Sequence, residues 1–334
     1  MTALSIIIVN YRTPELLVNC LTSVFEQTTG IGYEVIVVDN ASGDNSREII
    51  EVAFPAVKWI QMEYNAGFAR ANNEGIRRSE GNTVLLLNSD TIILDNAISS
   101  CFNSFSESKH VACGVQLLNA DGSPQISGNY FVKGGLNNLL PLPYVGNTIK
   151  FIGTLLNVKK PHVPNASAEI KVHWINGAYL MVKKSAMEKV GLMDEDFFLY
   201  AEEAEWCYRL NKVGSLVIYG QYKVVHLQGE TSNATFQSKS TGYYNLYDRK
   251  GLQIMLSNFV RLRKQYGVGW YIVQLLVYTL TIPFYLVIEF CMLAIGKSSL
   301  TEFSKIRAFA RNLVTLWGIS PKILRNKPTF YKVL

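Results

Sequence analysis

Three glutamates fall within four positions of the segment FLYAEEAEWCYR (198–209), which is otherwise apolar enough to pack. Carboxylates this close raise one another's pKa, so they are costly to bury unless cations or hydrogen bonds compensate. The segment therefore predicts either a solvent-exposed helix face or a site for acid–base chemistry, which uses carboxylates with raised pKa values. On a helix, Glu203 would point about 100° away from Glu202. Glu205 would lie one turn before Arg209 and pair with it.

Polar residues also stand at or just after the ends of four apolar runs in the first 90 positions. These residues are Asn10, Asp39, Asn65 and Asp90. One polar residue at such a place is ordinary turn chemistry. Four in succession predict the rim of a ligand cleft, because open α/β sheets bind ligands at the carboxyl ends of their strands.

The elements that would position these residues alternate between strand and helix. Runs such as LSIIIVN (4–10) and TVLLLNSD (83–90) are typical of strands buried on both faces of a parallel sheet. The segment TPELLVNCLTSVFEQT (13–28) carries apolar residues at helical spacing. Repetition every roughly 25 residues predicts an α/β domain with a mainly parallel sheet and helices on both faces. Later, residues 134–168 predict a long loop, and SLVIY and KVVHL predict two short closing strands.

A nucleotide could bind at this rim without a glycine-rich phosphate loop, since VNYRTPE after the first strand matches neither GxGxxG nor GxxxxGK[ST]. Asp39 could accept the imide N–H of uracil or thymine, and Asn65 could supply amide contacts. Asp90 could give an oxygen to Mg²⁺ or Mn²⁺, which keep coordination positions open for phosphate. His226, in VVHLQG, would be either a further ligand or a hydrogen-bonded core residue.

The distribution of charged residues and cysteines indicates which partners and which cellular compartment the protein has. Residues 1–228 hold 18 Lys and Arg against 22 Asp and Glu, whereas residues 229–334 hold 14 against 4. The basic C-terminal region predicts contact with an anionic surface, and its apolar core favours lipid over nucleic acid. Five cysteines without CxxC spacing predict a reducing compartment rather than a disulfide framework. The N-terminus lacks the basic and apolar regions of a signal peptide.

From residue 4 to about residue 232 the chain resembles the family 2 glycosyltransferases of GT-A fold. It is most similar to their rhamnosyltransferase-type branch, which builds bacterial surface polysaccharides. The resemblance is carried by SIIIVNYRTPELLVNCLTSV, EVIVVDNASGDNS, NAGFARANNEGI, VLLLNSDT, WINGAYLMVKKSAMEKVGLMDEDFFLYAEEAEWCYRLNKVG and VVHLQGETS. It implies a Rossmann-like GT-A domain, which we expect to be followed by a helical, membrane-associated C-terminal region.

The resemblance also implies a role for individual residues. The implied nucleotide-binding residues are Asn10, Asp39, Asn65, Arg70, Asn88, Ser89 and Asp90; the implied metal ligands are Asp90 and His226; the implied acceptor-binding residues are Trp174, Gly177 and Tyr200. Glu203 matches the catalytic base, and Glu202 would orient it or contact acceptor hydroxyls. Two positions depart from the family pattern. Asn88 replaces the first aspartate of D-x-D, and Glu203 replaces the usual aspartate, which moves the carboxylate by roughly 1 Å.

The implied activity is inverting, metal-dependent sugar transfer from a nucleoside diphosphate to a saccharide acceptor, expected to be lipid-linked. Rhamnose on dTDP is the first donor expected, with UDP-hexoses and UDP-galactofuranose as alternatives. The base would deprotonate the acceptor hydroxyl, and Mg²⁺ or Mn²⁺ would stabilise charge on the leaving diphosphate. Two other functions stay open: a non-catalytic, degenerate scaffold, and a processive polysaccharide synthase, although Q-x-x-R-W and several transmembrane helices are missing from the sequence.

We expect a catalytic domain over residues 1–228, with a nucleotide-sugar half at 1–117 and an acceptor half at 118–228. The region 229–334 would associate with the membrane through the apolar run 270–296, which has basic flanks and Pro283 at its middle. A re-entrant or interfacial helix pair, broken at Pro283, would keep both flanks on the cytoplasmic face of the bacterial inner membrane. A single span and a soluble core or homo-oligomer interface are the alternatives.

Overall fold

The computed structural model describes residues 2–158, 160–227, 236, 238 and 245–333. The chain forms two compact units, and the boundary predicted at residue 228 stays a prediction. The first unit comprises Met1–Phe131, Pro161–Phe198 and Glu202–Thr231, and the second comprises Val132–Lys160, Leu199–Ala201 and Ser232–Leu334. The boundary itself and residues 228–232 of the VVHLQGETS segment lie outside the described residues.

The first unit is built on a mixed, largely parallel sheet. The strands of this unit are β1 (Leu4–Asn10), β2 (Tyr33–Asp39), β3 (Lys58–Gln61), β4 (Thr83–Asn88), β5 (Thr91–Ile93), β6 (Ala112–Leu118), β7 (Gly128–Asn129), β8 (His162–Val163), β9 (Glu169–Val172), β10 (Trp174–Ile175), β11 (Tyr179–Lys183) and β12 (Leu216–His226). The main sheet runs β3-β2-β1-β4-β11-β6-β12-β5, with β9 also on β12; β10, β7 and β8 form a small second sheet. Strands β1 to β4 are parallel, and β11 enters antiparallel between β4 and β6. The predicted α/β fold is confirmed.

Helices cover both faces of this sheet. The helices of the first unit are α1 (Pro14–Gln27), α2 (Ser46–Ala53), α3 (Gly67–Arg78), α4 (Ala97–Ser106), α6 (Lys184–Val190) and α7 (Glu202–Leu210). Successive residues of β1 point to opposite faces, so Ile6 packs in the core under α1, α2 and α4, while Ile7 packs in the core under α3, α6 and α7. Burial on both faces explains why β1 is a continuous β-branched run.

Two expectations for the middle of the chain are wrong. The two predicted closing strands form one strand, β12, whose pairing with β6 shifts register between Tyr219 and Lys223. Such an irregularity keeps one strand in the sheet where the sequence pattern is interrupted. The predicted loop 134–168 contains a 3₁₀ helix (Lys133–Leu139) and helix α5 (Val145–Leu155).

The second unit contains two long helices besides α5, namely α8 (Arg249–Ala294) and α9 (Leu300–Arg325). Helix α8 continues through Pro283 and is interrupted instead at Gly267, whose φ of 87° is open to glycine. A proline kinks rather than ends a helix when packing holds both sides. Here Tyr278 and Tyr285, before and after the proline, are both buried.

Helix α8 is long and apolar enough to cross a membrane, and it alone has this property among the described residues. Only 33% of its most apolar 18-residue window is buried within the structure. Most of that window therefore presents apolar side chains outward.

Candidate active site

The first polar cluster lies where β1 and β2 end side by side, with Asn10 paired in register with Asp39. One carboxylate oxygen of Asp39 accepts hydrogen bonds from Asn10 Nδ2, at 2.8 Å, and from Ser42 Oγ. The other accepts from the Ser42 amide at 3.0 Å and from Gln61 Nε2 at 2.7 Å. Since a carboxylate offers about four lone-pair sites, Asp39 is saturated.

Gln61 is the exposed member of this cluster, and sequence reasoning missed it. It lies at the end of β3, in register with Asp39. It lines a pocket of about 190 Å³ together with Asp39, Gly43, Asp44, Ser46, Arg47, Glu48 and Trp59. Asn10 and Ser42 are buried, whereas the Gln61 side chain is exposed. A ligand N–H can therefore reach Asp39 by displacing Gln61.

The loop that carries Asn65 is fixed from two directions. Asn65 Oδ1 accepts from Asn40 Nδ2 at 3.0 Å and from the Gly67 amide at 3.1 Å. Gly67 has φ of 77°, and a Cβ there would lie 2.2 Å from the Phe198 carbonyl oxygen. Glycine is required at this close approach.

Two further predicted nucleotide-binding residues make different contacts. Arg70 donates from Nε to the Glu195 carbonyl at 3.0 Å and from Nη1 to the Tyr64 hydroxyl at 3.2 Å. Ser89 lies within reach of the first cluster, because Thr13 Oγ1 is 3.4 Å from Ser89 Oγ and 3.2 Å from Asn10 Oδ1. The structure thus gathers Asn10, Asp39 and Ser89 around the ends of β1, β2 and β4. Arg70 instead contacts Tyr64 and Glu195.

Asp90 and His226 are brought together at the junction of β4, β5 and β12. His226 is in register with Thr91, and the distance from His226 Nε2 to Asp90 Oδ1 is 3.4 Å. Asn88 Nδ2 lies 3.3 Å from the same ring nitrogen. Both Asp90 and His226 are buried. The two predicted metal ligands therefore adjoin one another, and Asn88 contacts His226.

This pair fits a divalent cation. Adjacent ligands of an octahedral ion with bonds of about 2.1 Å lie roughly 3 Å apart, close to the observed separation. Carboxylate oxygen and imidazole nitrogen are both ligands of Mn²⁺-type ions. Among the described residues, no group of three or more His, Cys, Asp and Glu side chains could hold a metal. The two side chains leave coordination positions for water or phosphate oxygen.

Glu203 and Gly177, both predicted to act on the acceptor side, also adjoin. A Cβ on Gly177 would lie 3.5 Å from Glu203 Cγ and 3.8 Å from Phe68 Cε1. Glu203 is half-buried, whereas Glu202 is 3% exposed. Trp174, three residues before Gly177, has a buried Nε1–H without a hydrogen-bond partner within the part of the chain that the structure describes.

The predicted ion pair between Glu205 and Arg209 is confirmed. The Arg209 guanidinium contacts both carboxylate oxygens, at 2.8 to 2.9 Å. It also donates to the carbonyl oxygens of Val190 and Leu192, at 2.6 and 2.8 Å, where α6 ends. Arg209 thereby fixes α7, and with it Glu202 and Glu203, to the preceding segment.

Buried thiols accompany both acidic groups. The pKa of Cys20 is raised to about 12, mainly by burial; a hydrogen bond with Thr91 lowers it, and the nearby charge of Asp90 adds to the increase. Burial also raises the pKa of the Cys207 thiol, and the negative charges of Glu203 and Glu205 add to this increase. Neither thiol forms a thiolate near neutral pH, so neither is a nucleophile here.

Two residues in the left-handed conformation precede α7, a feature that sequence reasoning missed. Tyr200 and Ala201 have φ of 73° and 67°. Each such non-glycine residue costs roughly 1–2 kcal/mol, and this kind of strain clusters at functional sites. Tyr200, predicted to bind the acceptor, belongs to the second unit, where its ring stacks on Phe236 with centroids 6.4 Å apart.

A three-layer α/β unit with an acidic strand-end rim and an acidic helix is the architecture of the GT-A glycosyltransferases. The structure resembles the mannosyltransferase PcManGT of Pyrobaculum calidifontis, determined with GDP-Man and Mn²⁺, with a TM-score of 0.55, 14% identity and coverage of 97% of this chain and 87% of that one. It also resembles GalNAc-T7, determined with UDP, GalNAc and Mn²⁺, with a TM-score of 0.52, 13% identity and coverage of 96% and 58%. Residues 5–171, half of the chain, match the model of Glycosyl transferase family 2. The chain belongs to this family.

Two curated relatives extend the comparison. The chain is 30% identical over 227 residues to the low-salt glycan biosynthesis hexosyltransferase Agl10 of Haloferax volcanii, covering 66% of this chain and 65% of that protein. It is 29% identical over 235 residues to the dTDP-rhamnosyl transferase RfbF of Shigella flexneri, covering 68% and 72%. The match to Agl10 spans slightly less than two thirds of its length. Rhamnosyltransferase-like relatives are thus confirmed.

Proposed function

We propose that the protein is an inverting, metal-dependent glycosyltransferase that moves a sugar from a nucleoside diphosphate to a saccharide acceptor in surface polysaccharide synthesis. One observation carries this function: Asp90 Oδ1 and His226 Nε2 lie 3.4 Å apart at the sheet edge that also holds Asp39. Glu203, beside Gly177, supplies a carboxylate for the acceptor side.

Glu203 is the base that takes the proton of the acceptor hydroxyl as its oxygen attacks the anomeric carbon. It is half-buried, so it stays open to an acceptor hydroxyl, as a general base must be. Buried Glu202 orients this end of the helix. Asp90 and His226 would hold Mg²⁺ or Mn²⁺, which supplies charge stabilisation for the leaving diphosphate.

Asp39 selects the nucleotide through its base. When a ligand displaces Gln61 Nε2, Asp39 Oδ2 can accept the imide N–H of uracil or thymine, and the Gln61 amide becomes free to donate to a base carbonyl. Cytosine presents an acceptor at this position and is rejected, because two acceptors then face each other. dTDP-rhamnose is the first donor, by likeness to the relative named dTDP-rhamnosyl transferase, and UDP-hexoses follow.

The test is a panel of nucleotide sugars with Mn²⁺, Mg²⁺ or chelator, read by thermal stabilisation and by release of the diphosphate. We expect stabilisation by dTDP- or UDP-sugars that depends on metal, and little effect of CDP compounds. Full activity in excess chelator would contradict the proposed metal dependence of the reaction. Donor binding without transfer or hydrolysis, over a panel of lipid-linked acceptors, would instead favour the non-catalytic scaffold.

The second unit is proposed to hold the enzyme peripherally on the cytoplasmic face of the bacterial inner membrane, near a lipid-linked acceptor; a re-entrant pair broken at Pro283 is not proposed, because α8 continues through this residue. Helix α5 buries little besides Gly146. The exposed apolar side chains on or just after α5 are Phe151, Ile152, Leu155, Leu156 and Val158, and those of α8 after Gly267 are Val268, Ile272, Val273, Leu276, Leu280, Phe284, Val287, Phe290 and Leu293. Apolar faces of this kind beside basic residues bind anionic bilayers.

Flotation of the full chain with vesicles tests this placement. We expect binding to vesicles rich in phosphatidylglycerol, weaker binding to phosphatidylcholine, and a loss when Leu155 and Leu156 are both replaced by Glu. Val52 on α2 is 84% exposed in the first unit, so Val52→Glu is the matched control and should float like wild type. Equal flotation of all three proteins would show that α5 does not contribute to membrane binding.

A further inference from the structure

Gln125 holds the metal-side histidine from behind. His226 Nδ1 lies 3.0 Å from Gln125 Oε1. Gln125 Nε2 donates to the His226 carbonyl oxygen at 2.6 Å and to Asn119 Oδ1 at 2.8 Å. Gln125 is only 6% exposed.

These contacts fix which way the Gln125 amide points. A backbone carbonyl can only accept, so the Gln125 atom 2.6 Å from the His226 carbonyl must be the NH₂ group. A flipped amide would set two carbonyl oxygens against each other and leave buried groups unsatisfied. Gln125 Oε1 therefore faces His226 Nδ1, and an oxygen acceptor requires that this ring nitrogen carry the proton.

In the neutral ring the other nitrogen, Nε2, then carries a lone pair. It faces Asp90 Oδ1 at 3.4 Å, so in this state two acceptors confront each other in a buried place. Asn88 Nδ2 can donate to this nitrogen from 3.3 Å, but this hydrogen bond does not compensate the charge of the Asp90 carboxylate. A cation between His226 and Asp90 satisfies both.

We infer that Gln125 is a positioning residue that fixes His226 in the Nδ1–H tautomer and so presents Nε2, together with Asp90, to a divalent cation, a role that rests on the proposed function. Metal-binding histidines commonly donate their other N–H to an oxygen acceptor, which sets the tautomer and increases ligand basicity. Here the acceptor is a neutral amide, and the same side chain also grips the histidine backbone.

The fold holds Gln125 itself in place. The backbone N–H of Gln125 donates to the Leu117 carbonyl at 2.8 Å, and its backbone carbonyl accepts from Gln116 Nε2 at 2.9 Å. The preceding turn is closed by the Ser123 amide, which donates to Asp121 Oδ1 at 2.9 Å. Because the backbone is fixed on both sides, the Gln125 side chain has one direction to point.

Gln253 offers a matched control. It is fully buried, its Nε2 donates to two oxygens, those of the Ser257 hydroxyl and the Tyr331 carbonyl, and its Oε1 accepts one backbone amide, that of Val333. Replacing either glutamine by Met removes a buried amide with a comparable set of hydrogen bonds. Gln125→Met also removes the contact to the His226 ring.

The experiment combines two readouts on the full chain in detergent. Nitrogen-15 labelling of the four histidines gives a long-range spectrum that reports which ring nitrogen of His226 is protonated, with His226→Asn to assign it. Mn²⁺ binding, with dTDP and with UDP in turn, is followed by the electron paramagnetic resonance signal of free Mn²⁺. We expect Nδ1–H in wild type and Gln253→Met. Gln125→Met should lose that preference and bind Mn²⁺ about 10- to 100-fold more weakly.

The wild-type spectrum decides the tautomer without any variant. Protonation at Nε2 in wild type, with Mn²⁺ binding intact, would overturn the role of Gln125 and leave the metal in the proposed function. Unchanged Mn²⁺ affinity in Gln125→Met, or an equal loss in Gln253→Met, would also overturn it. If wild type shows the Nδ1–H tautomer but does not bind Mn²⁺, the proposed metal dependence is wrong. The inference that Gln125 presents His226 to a cation is then wrong as well.

Discussion

Replacing Arg209 by Met should loosen the helix that carries the proposed base. The Glu205 side chain is 7% exposed and that of Arg209 is 22% exposed. Removing one partner of a buried ion pair costs about 3–5 kcal/mol, because the remaining charge is left without compensation. Arg209 also satisfies the Val190 and Leu192 carbonyls, but it keeps some contact with water. We therefore expect a loss near the lower end, about 3 kcal/mol.

Hydrogen exchange measured on peptides covering α7 is the suitable assay, because it reports local opening in a chain with two units. A loss of about 3 kcal/mol corresponds to exchange roughly 10²-fold faster. Peptides from α3 serve as the internal reference. Glu205→Leu combined with Arg209→Met removes both charges, so it should recover much of the loss. Exchange less than tenfold faster in Arg209→Met, or a double variant as loose as the single one, would refute the reasoning.

Three further predictions concern the site and the loops around it. Asp90→Ala should abolish metal-dependent donor binding in calorimetry, and His226→Ala should weaken it less; normal binding by Asp90→Ala would contradict its role as a ligand. Gly67→Ala should destabilise the protein by at least about 2 kcal/mol, since its Cβ would lie 2.2 Å from a backbone oxygen, whereas Gly177→Ala, with its nearest contact at 3.5 Å, should cost less than about 1 kcal/mol in the same thermal unfolding assay. Ala201→Gly should slow exchange around residue 201 by relieving about 1 kcal/mol of left-handed strain, and Ala204→Gly within α7 should speed it; the opposite order would show that the strain is absent.

What the sequence predicted correctly depends on local patterns. Continuous β-branched runs mark strands buried on two faces, and β1 and β4 are such strands. The pairing of Glu205 with Arg209 follows from four-residue spacing on a helix. The strand-end rim follows from the parallel order, because carboxyl ends of parallel strands share one edge.

What the sequence did not predict depends on long-range contacts or on the backbone. Gln61 and Gln125 look like ordinary polar residues, and they matter because Asp39 and His226 arrive next to them from other strands. The residue types of Tyr200 and Ala201 do not predict a positive φ, since neither is Gly or Asn. The roles of Asp39, Glu203 and the acceptor residues came from the family resemblance, and they stay predictions.

The most direct test of the account is the rate of sugar transfer by Glu203→Gln, measured at saturating nucleotide sugar and Mn²⁺ beside Glu202→Gln. Glutamine keeps the size of the side chain and removes its charge. If Glu203 is the base, Glu203→Gln should bind donor normally and transfer sugar about 10²-fold more slowly or worse, while Glu202→Gln keeps more activity. Normal transfer by Glu203→Gln, with Glu202→Gln inactive, would contradict the assignment of the base.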